Sequence, residues 1–184
     1  MRRLFEDLPV TFRSLREFAD VKAIEETGST FQENAALKAQ GYAQQTGLWA
    51  LADDSGLEIA ALHGAPGVQS ARYAGENTNF DEKILLLLWE LGLTGDERRT
   101  ARFVCEMALA DKTGEVRLTA RGVCDGTIAA GPLGTNGFGY DPIFVPVGYD
   151  ETFGELSDDI KREISHRARA SEIIKRKILD FIAV

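Results

Sequence analysis

Cysteine and histidine are scarce in this chain: two of each occur among 184 residues. Cys105 and Cys124 cannot build a disulfide framework and show no metal-ligand spacing. Each lies in an apolar run, where a buried thiol behaves as a small hydrophobe. With only His63 and His166, a multi-histidine zinc centre is excluded, so metal chemistry here must rest on carboxylates, which favours Mg²⁺ or Mn²⁺. Long apolar runs are missing too, the longest being Ile84–Trp89, far short of the roughly 20 residues that span a bilayer. Met1-Arg2-Arg3-Leu4-Phe5-Glu6-Asp7 lacks the apolar centre of a signal peptide; no membrane and a cytoplasmic location are expected. A basic excess is also absent: 21 Lys+Arg face 29 Asp+Glu, a formal net charge of −8. Sequence-independent binding of a nucleic acid duplex needs a basic face and is not expected, whereas a nucleotide arriving with Mg²⁺ remains compatible. Repeats, low-complexity tracts and Ser/Pro-rich linkers do not occur, and the length suits one domain over residues 1–184.

What is present alternates helical and extended patterns. Residues 1–7 read as helical and Thr11–Leu15 as a short strand. Thr30 and Glu33 have capping-box spacing, opening a helix that should end at Gly47. Leu48–Ala52 reads as a buried strand ending on Asp53-Asp54-Ser55-Gly56, and a Gly/Pro-rich loop follows from His63 to Asn77. Asn79 and Glu82 open a second helix, to be stopped by Gly92. Thr100–Ala110 and Glu115–Cys124 flank Asp111-Lys112-Thr113-Gly114 as a long antiparallel hairpin. Residues 131–139 carry Gly131, Gly134, Gly137 and Gly139 and hold no regular element. Ile143–Val145 is a short strand. Ser165 caps a final helix to Phe181, along which Ile173, Ile174, Ile178, Phe181 and Ile182 form an apolar stripe. The pattern is α/β with a mixed sheet.

Four segments offer chemistry, each beside a plainer reading. Asp53 and Asp54 at the mouth of an apolar strand suit a divalent cation, because a turn starting there would let both carboxylates approach one ion; the same residues also make an ordinary Asp-rich turn. Glu25 and Glu26 either complete that shell or form a solvated loop. Asn34 and Lys38, four apart, share a helix face from which Lys38 can meet phosphate. Gly134-Thr135-Asn136-Gly137-Phe138-Gly139-Tyr140-Asp141-Pro142 is either a long turn or a backbone cradle in which Phe138 or Tyr140 stacks on a base. His166 and Arg167 oppose the macrodipole at the start of the last helix unless an anion sits there, with Lys161 upstream adding charge.

In this order, Phe31-Gln32-Glu33-Asn34-Ala35, Ala52-Asp53-Asp54-Ser55-Gly56-Leu57, Gly64-Ala65-Pro66-Gly67-Val68-Gln69-Ser70-Ala71-Arg72-Tyr73, Gly137-Phe138-Gly139-Tyr140-Asp141-Pro142-Ile143-Phe144 and Ile164-Ser165-His166-Arg167 resemble the inosine triphosphate pyrophosphatase family from about Glu25 onward. That resemblance implies an elongated mixed sheet flanked by helices, with a central nucleotide-binding cleft. It implies Mg²⁺-dependent hydrolysis of ITP, dITP and XTP to monophosphate and pyrophosphate by a cytoplasmic homodimer. It assigns Asp54 as general base and metal ligand. Asp53 and an acid of the Glu25–Glu26 pair, Glu25 being favoured, would help hold Mg²⁺. Ser55, Phe138, Gly139, Tyr140, Asp141, Lys161, His166 and Arg167 would bind the nucleotide, with Lys38 near its phosphates.

Two departures from the family accompany it. The opening strand and its Thr/Ser-x-Asn-x-x-Lys phosphate loop do not precede the first helix, so the chain is expected to be shortened at its N-terminus. Ala168 follows His166-Arg167 where the family commonly has Gly. Loss of the loop leaves a second expectation standing, a nucleotide-binding or dimerisation module without turnover.

Overall fold

In the computed structural model, the structure describes Phe5 and residues 8–183. The helix expected over residues 1–7 lies outside these, apart from Phe5. The Thr11–Leu15 strand does not form. Ser14 and Glu17 instead cap a 3₁₀ turn over Leu15–Glu17, the Ser14 N–H donating to the Glu17 carboxylate at 2.6 Å; local side-chain bonds supply what a strand partner would have.

Helix α1 spans Phe31–Thr46 as its caps dictate. Thr30 Oγ1 accepts from the Glu33 N–H at 3.1 Å, the Glu33 carboxylate accepts from the Thr30 N–H at 3.2 Å, and Gly47 closes the helix in the left-handed region at φ 66°. Helix α2, Phe80–Leu93, starts on Asn79 but passes Gly92 and is capped at Thr94. Strand β2, Thr100–Ala110, has the expected bounds, and β3, Val116–Ile128, runs beyond Cys124. The extension pairs antiparallel with β4, Phe144–Pro146, through Gly126↔Pro146, Thr127↔Val145 and Ile128↔Phe144. A short helix that the patterning missed, α3 over Asp158–Ile164, precedes α4, His166–Ile182, with Ser165 extended between them.

Strand β1 covers Ala50–Ile59 and does not turn at Asp53. Leu57 and Ile59 beyond the acidic pair are fully buried, and their burial carries the strand forward. The four strands form an antiparallel sheet in the order β1-β2-β3-β4. The α/β class holds; a parallel pair, which a mixed sheet would add, is not found among the described strands.

The chain divides into two compact units, one made of Met1–Asp54, Cys105–Gly122 and Arg167–Val184, the other of Ser55–Val104 and Val123–His166. In the first, Cys105 and Met107 of β2 pack with Ala170, Ile174 and Ile178 of α4, while Ala108 and Ala110 of β2 pack with Ala35, Ala39 and Ala43 of α1. The first unit is thus layered helix–sheet–helix, and the alanines let α1 approach the sheet closely. In the second, Ile84, Leu87 and Leu91 of α2 cover Leu57, Phe103, Cys124 and Phe144. Of the α4 stripe, Ile174 and Ile178 are buried and Ile173, Phe181 and Ile182 are exposed. Among the described residues no helix is long and apolar enough to cross a membrane.

Candidate active site

Strand alternation decides what Asp53 and Asp54 do. Leu51 of β1 joins the core on the α4 side and Ala52 the core on the α1 side. With a period of two, Asp53 therefore follows Leu51 and Asp54 follows Ala52. The two carboxylates diverge. Asp53 Oδ2 accepts from Arg167 Nε at 3.1 Å and Nη2 at 2.8 Å. Asp54 Oδ1 accepts from Lys38 Nζ at 2.9 Å and its Oδ2 from Asn34 Nδ2 at 3.2 Å. The single-ion arrangement expected for the pair needed a turn that β1 does not make, and the structure does not bring Asp53 to the Asp54 group.

Glu26 comes there instead, its Oε1 accepting from Lys38 Nζ at 3.0 Å. Of the Glu25–Glu26 pair, it is Glu26 whose carboxylate reaches α1. Asn34 is oriented from its other end: its Oδ1 accepts from the Gly28 N–H at 2.8 Å, which turns its Nδ2 to Asp54. This approach needs glycine, because a Cβ on Gly28 would lie 2.7 Å from Asn34 Oδ1. Burial pushes the Asp54 carboxyl above its ordinary value, opposed by Lys38 and aided by the charge of Glu26. For Lys38, burial works downward, but the hydrogen bonds and charges of Asp54 and Glu26 outweigh it and hold the ammonium above the usual lysine value. The Lys38 ammonium thus lies between the Asp54 and Glu26 carboxylates, all three half-buried or buried.

That arrangement bears on Mg²⁺. Among the described residues no three His, Cys, Asp or Glu side chains converge. Two carboxylates do converge on one ammonium, and Mg²⁺ commonly takes one or two carboxylates, completing its shell with water and phosphate. The donor set fits such an ion.

The second unit carries the other expected residues. Asp141 is buried; its Oδ2 accepts from the Phe138 N–H at 2.6 Å and is ion-paired with the Lys161 ammonium. Gly137 sits at φ 75°, and a Cβ there would run into the Asp141 carboxylate and lie 2.7 Å from Lys161 Nζ. Lys161, on α3, lies 4.8 Å from the centroid of the Phe138 ring. The two aromatics that the sequence left equivalent now separate. Phe138 is 65% exposed, whereas Tyr140 is 3% exposed, donates its hydroxyl to the Ser70 carbonyl at 3.0 Å and meets Phe80 edge-on. Only Phe138 presents a face for stacking. Gly139 adopts φ 68° beside Phe80, Ser55 is half-buried on β1, and His166 is buried against Phe103 at 4.8 Å between centroids.

The Ham1 family profile matches residues 1–177. This chain belongs to the Ham1 family. It is 50% identical over 173 residues to the dITP/XTP pyrophosphatase of Coxiella burnetii, a span covering 94% of this chain and 86% of that one. It is 48% identical over 169 residues to the dITP/XTP pyrophosphatase of Exiguobacterium sp., covering 92% and 85%. The solved structure of a HAM1 protein from Coxiella burnetii superposes with a TM-score of 0.92 at 47% identity, covering 97% of this chain and 91% of that one. The Staphylococcus aureus Ham1 protein gives a TM-score of 0.86 at 42% identity, covering 97% and 91%.

Proposed function

We propose that this Ham1-family chain hydrolyses non-standard purine nucleoside triphosphates, ITP, dITP and XTP, to the monophosphate and pyrophosphate, removing deaminated purines from the nucleotide pool. The observation that carries this reading is the 50% identity over 94% of the chain to a dITP/XTP pyrophosphatase. It disfavours a nucleotide-binding module without turnover. Cleaving the α–β phosphoanhydride needs a positioned water, a base and charge neutralisation, with little covalent chemistry from the protein. Asp54 is the base: burial raises its proton affinity, and Asn34 and Lys38 fix both its oxygens. Asp54 and Glu26 would hold Mg²⁺, which when bound neutralises phosphate charge and acidifies water. Lys38 then turns from the carboxylates to the phosphates.

Within the second unit, Asp141 holds Phe138 and Lys161 in place and leaves the Phe138 ring open to stacking. Arg167, oriented by Asp53, donates to the 6-oxo group; a 6-amino purine would set donor against donor there, and a mismatched polar edge can be strongly rejected. We further propose a cytoplasmic location and a homodimer, the dimer being supported by an apolar ridge on α2 where Leu85, Trp89 and Leu93 are 62%, 62% and 69% exposed at four-residue spacing.

The test is pyrophosphate release from ITP against ATP and GTP, with and without Mg²⁺. The intact chain should release it from ITP only with the metal, Asp54→Asn should lose about 10²–10⁴-fold, and Arg167→Ala should shrink the ITP/ATP preference. Equal rates with ITP and ATP in the intact chain would overturn the substrate assignment, and full activity of Asp54→Asn the base.

A further inference from the structure

Glu26 lies in a stretch, residues 21–28, without regular secondary structure. Its place beside Asp54 must therefore be set by side-chain contacts, and these form a ladder along α1. Asn34, Lys38, Gly41 and Gln45 follow one another at three- or four-residue spacing and share one face of the helix. The stretch meets this face in the opposite direction on alternate residues, the spacing of an extended chain. Gly28 is bonded to Asn34 and Glu26 to Lys38. Ile24 fills the space over Gly41: a Cβ on Gly41 would overlap Ile24 Cδ1 and lie 2.8 Å from Cγ1. Lys22 is held by Gln45, whose Oε1 accepts from the Lys22 N–H at 2.7 Å and whose Nε2 donates to the Lys22 carbonyl at 3.0 Å. The amide side chain thus offers the donor and acceptor that a neighbouring strand would offer. The steps are commensurate, since two extended residues advance about 6.6 Å and three or four helical residues advance about 4.5–6 Å.

We propose that Gln45 and Gly41 are positioning residues for the cation-binding carboxylate: the Gln45 clamp and the Gly41 notch set the register of the stretch, and so hold Glu26 opposite Asp54. The inference rests on the reading of Glu26 and Asp54 as the Mg²⁺ ligands. A slip of one residue in an extended stretch would turn Glu26 away and present a neighbour of different direction.

The test is Mn²⁺ binding to the full chain, followed by electron paramagnetic resonance without nucleotide, in the intact protein, Gln45→Met, Glu26→Gln and the double variant. Gln45→Met keeps side-chain length, removes both bonds and lies at an exposed site, so the fold persists. Its Mn²⁺ affinity should fall by roughly 10-fold, the scale of lost outer-shell support. In the Glu26→Gln background it should cause no further loss. Gly41→Ala should likewise weaken binding, and Ile24→Ala added to it should restore binding. Unchanged Mn²⁺ affinity in Gln45→Met, or an equal loss with and without Glu26, would overturn the inference while leaving the metal reading intact. Absence of Mn²⁺ binding by the intact protein, or binding indifferent to Glu26→Gln, would overturn the metal reading and the inference with it.

Discussion

Glu106 illustrates how a single buried charge can be read for its cost. It is 8% exposed on β2, and Arg121 Nε stands 3.5 Å from its carboxylate. Burial raises the carboxyl above its ordinary value of 4.5, and Arg121 only partly opposes that. Since the folded state holds this proton more tightly than the unfolded state, its stabilising contribution is complete below the unfolded value and is lost as pH rises through the folded one. Glu106→Gln should accordingly raise Tm by a few degrees at about pH 7 and change it little at about pH 4. Thermal unfolding at both pH values checks this, and a lower Tm at neutral pH would show that Arg121 outweighs the desolvation. Asp53 and Asp54, adjacent in sequence, part in the same residue-by-residue way. Their neighbours Leu51 and Ala52 already mark opposite faces, but only a strand that continues past them turns that parity into two different partners.

Among the elements, α1 joins the site to the core. One face carries Asn34, Lys38, Gly41 and Gln45 against residues 22–28, and the neighbouring face carries Ala35, Ala39 and Ala43, all essentially inaccessible against Ala52, Ala108 and Ala110. Small residues on both sides bring helix and strand close, which lets the short reach of Asn34 span to Asp54. Ala39→Leu should therefore overpack the layer and cost about 1–3 kcal/mol, a fall in Tm of about 2–4 °C per kcal/mol for a chain of this size. Differential scanning calorimetry reads it directly; a variant melting with the parent would show that the layer can part without cost. Both caps of α1, the N-cap of α2 and the β2–β3 hairpin were legible because each is a local agreement of side chain with backbone. The length of β1, the existence of α3 and the inward turn of Tyr140 were not. Each depends on burial against residues distant in sequence, such as Ser70 and Phe80 for Tyr140.

At the scale of the whole molecule, the α2 ridge is the feature that composition does not explain. Leu85, Trp89 and Leu93 project from a helix whose opposite face, Ile84, Leu87 and Leu91, is buried in the core. A ridge of this kind carries a hydration penalty unless it is covered, and in the homodimer proposed above a second copy would cover it symmetrically. Light scattering on eluting protein should give a dimer mass for the parent and a monomer mass for Trp89→Asp, with far-UV circular dichroism unchanged. A monomeric parent would overturn the homodimer.

Residues close along the chain were enough to specify the α/β class, the starts of two capped helices and the hairpin. Together with the ordered motifs they nominated the candidate side chains, because capping, periodicity and motif spacing are properties of neighbours along the chain. The packed chain was needed to give Asp53 to Arg167 and Asp54 to Lys38, to bring Glu26 rather than its neighbour to α1, and to expose the ring of Phe138 rather than that of Tyr140. Those choices turn on which face of an element is buried and on what lies across from it. Contacts between residues far apart in sequence set both.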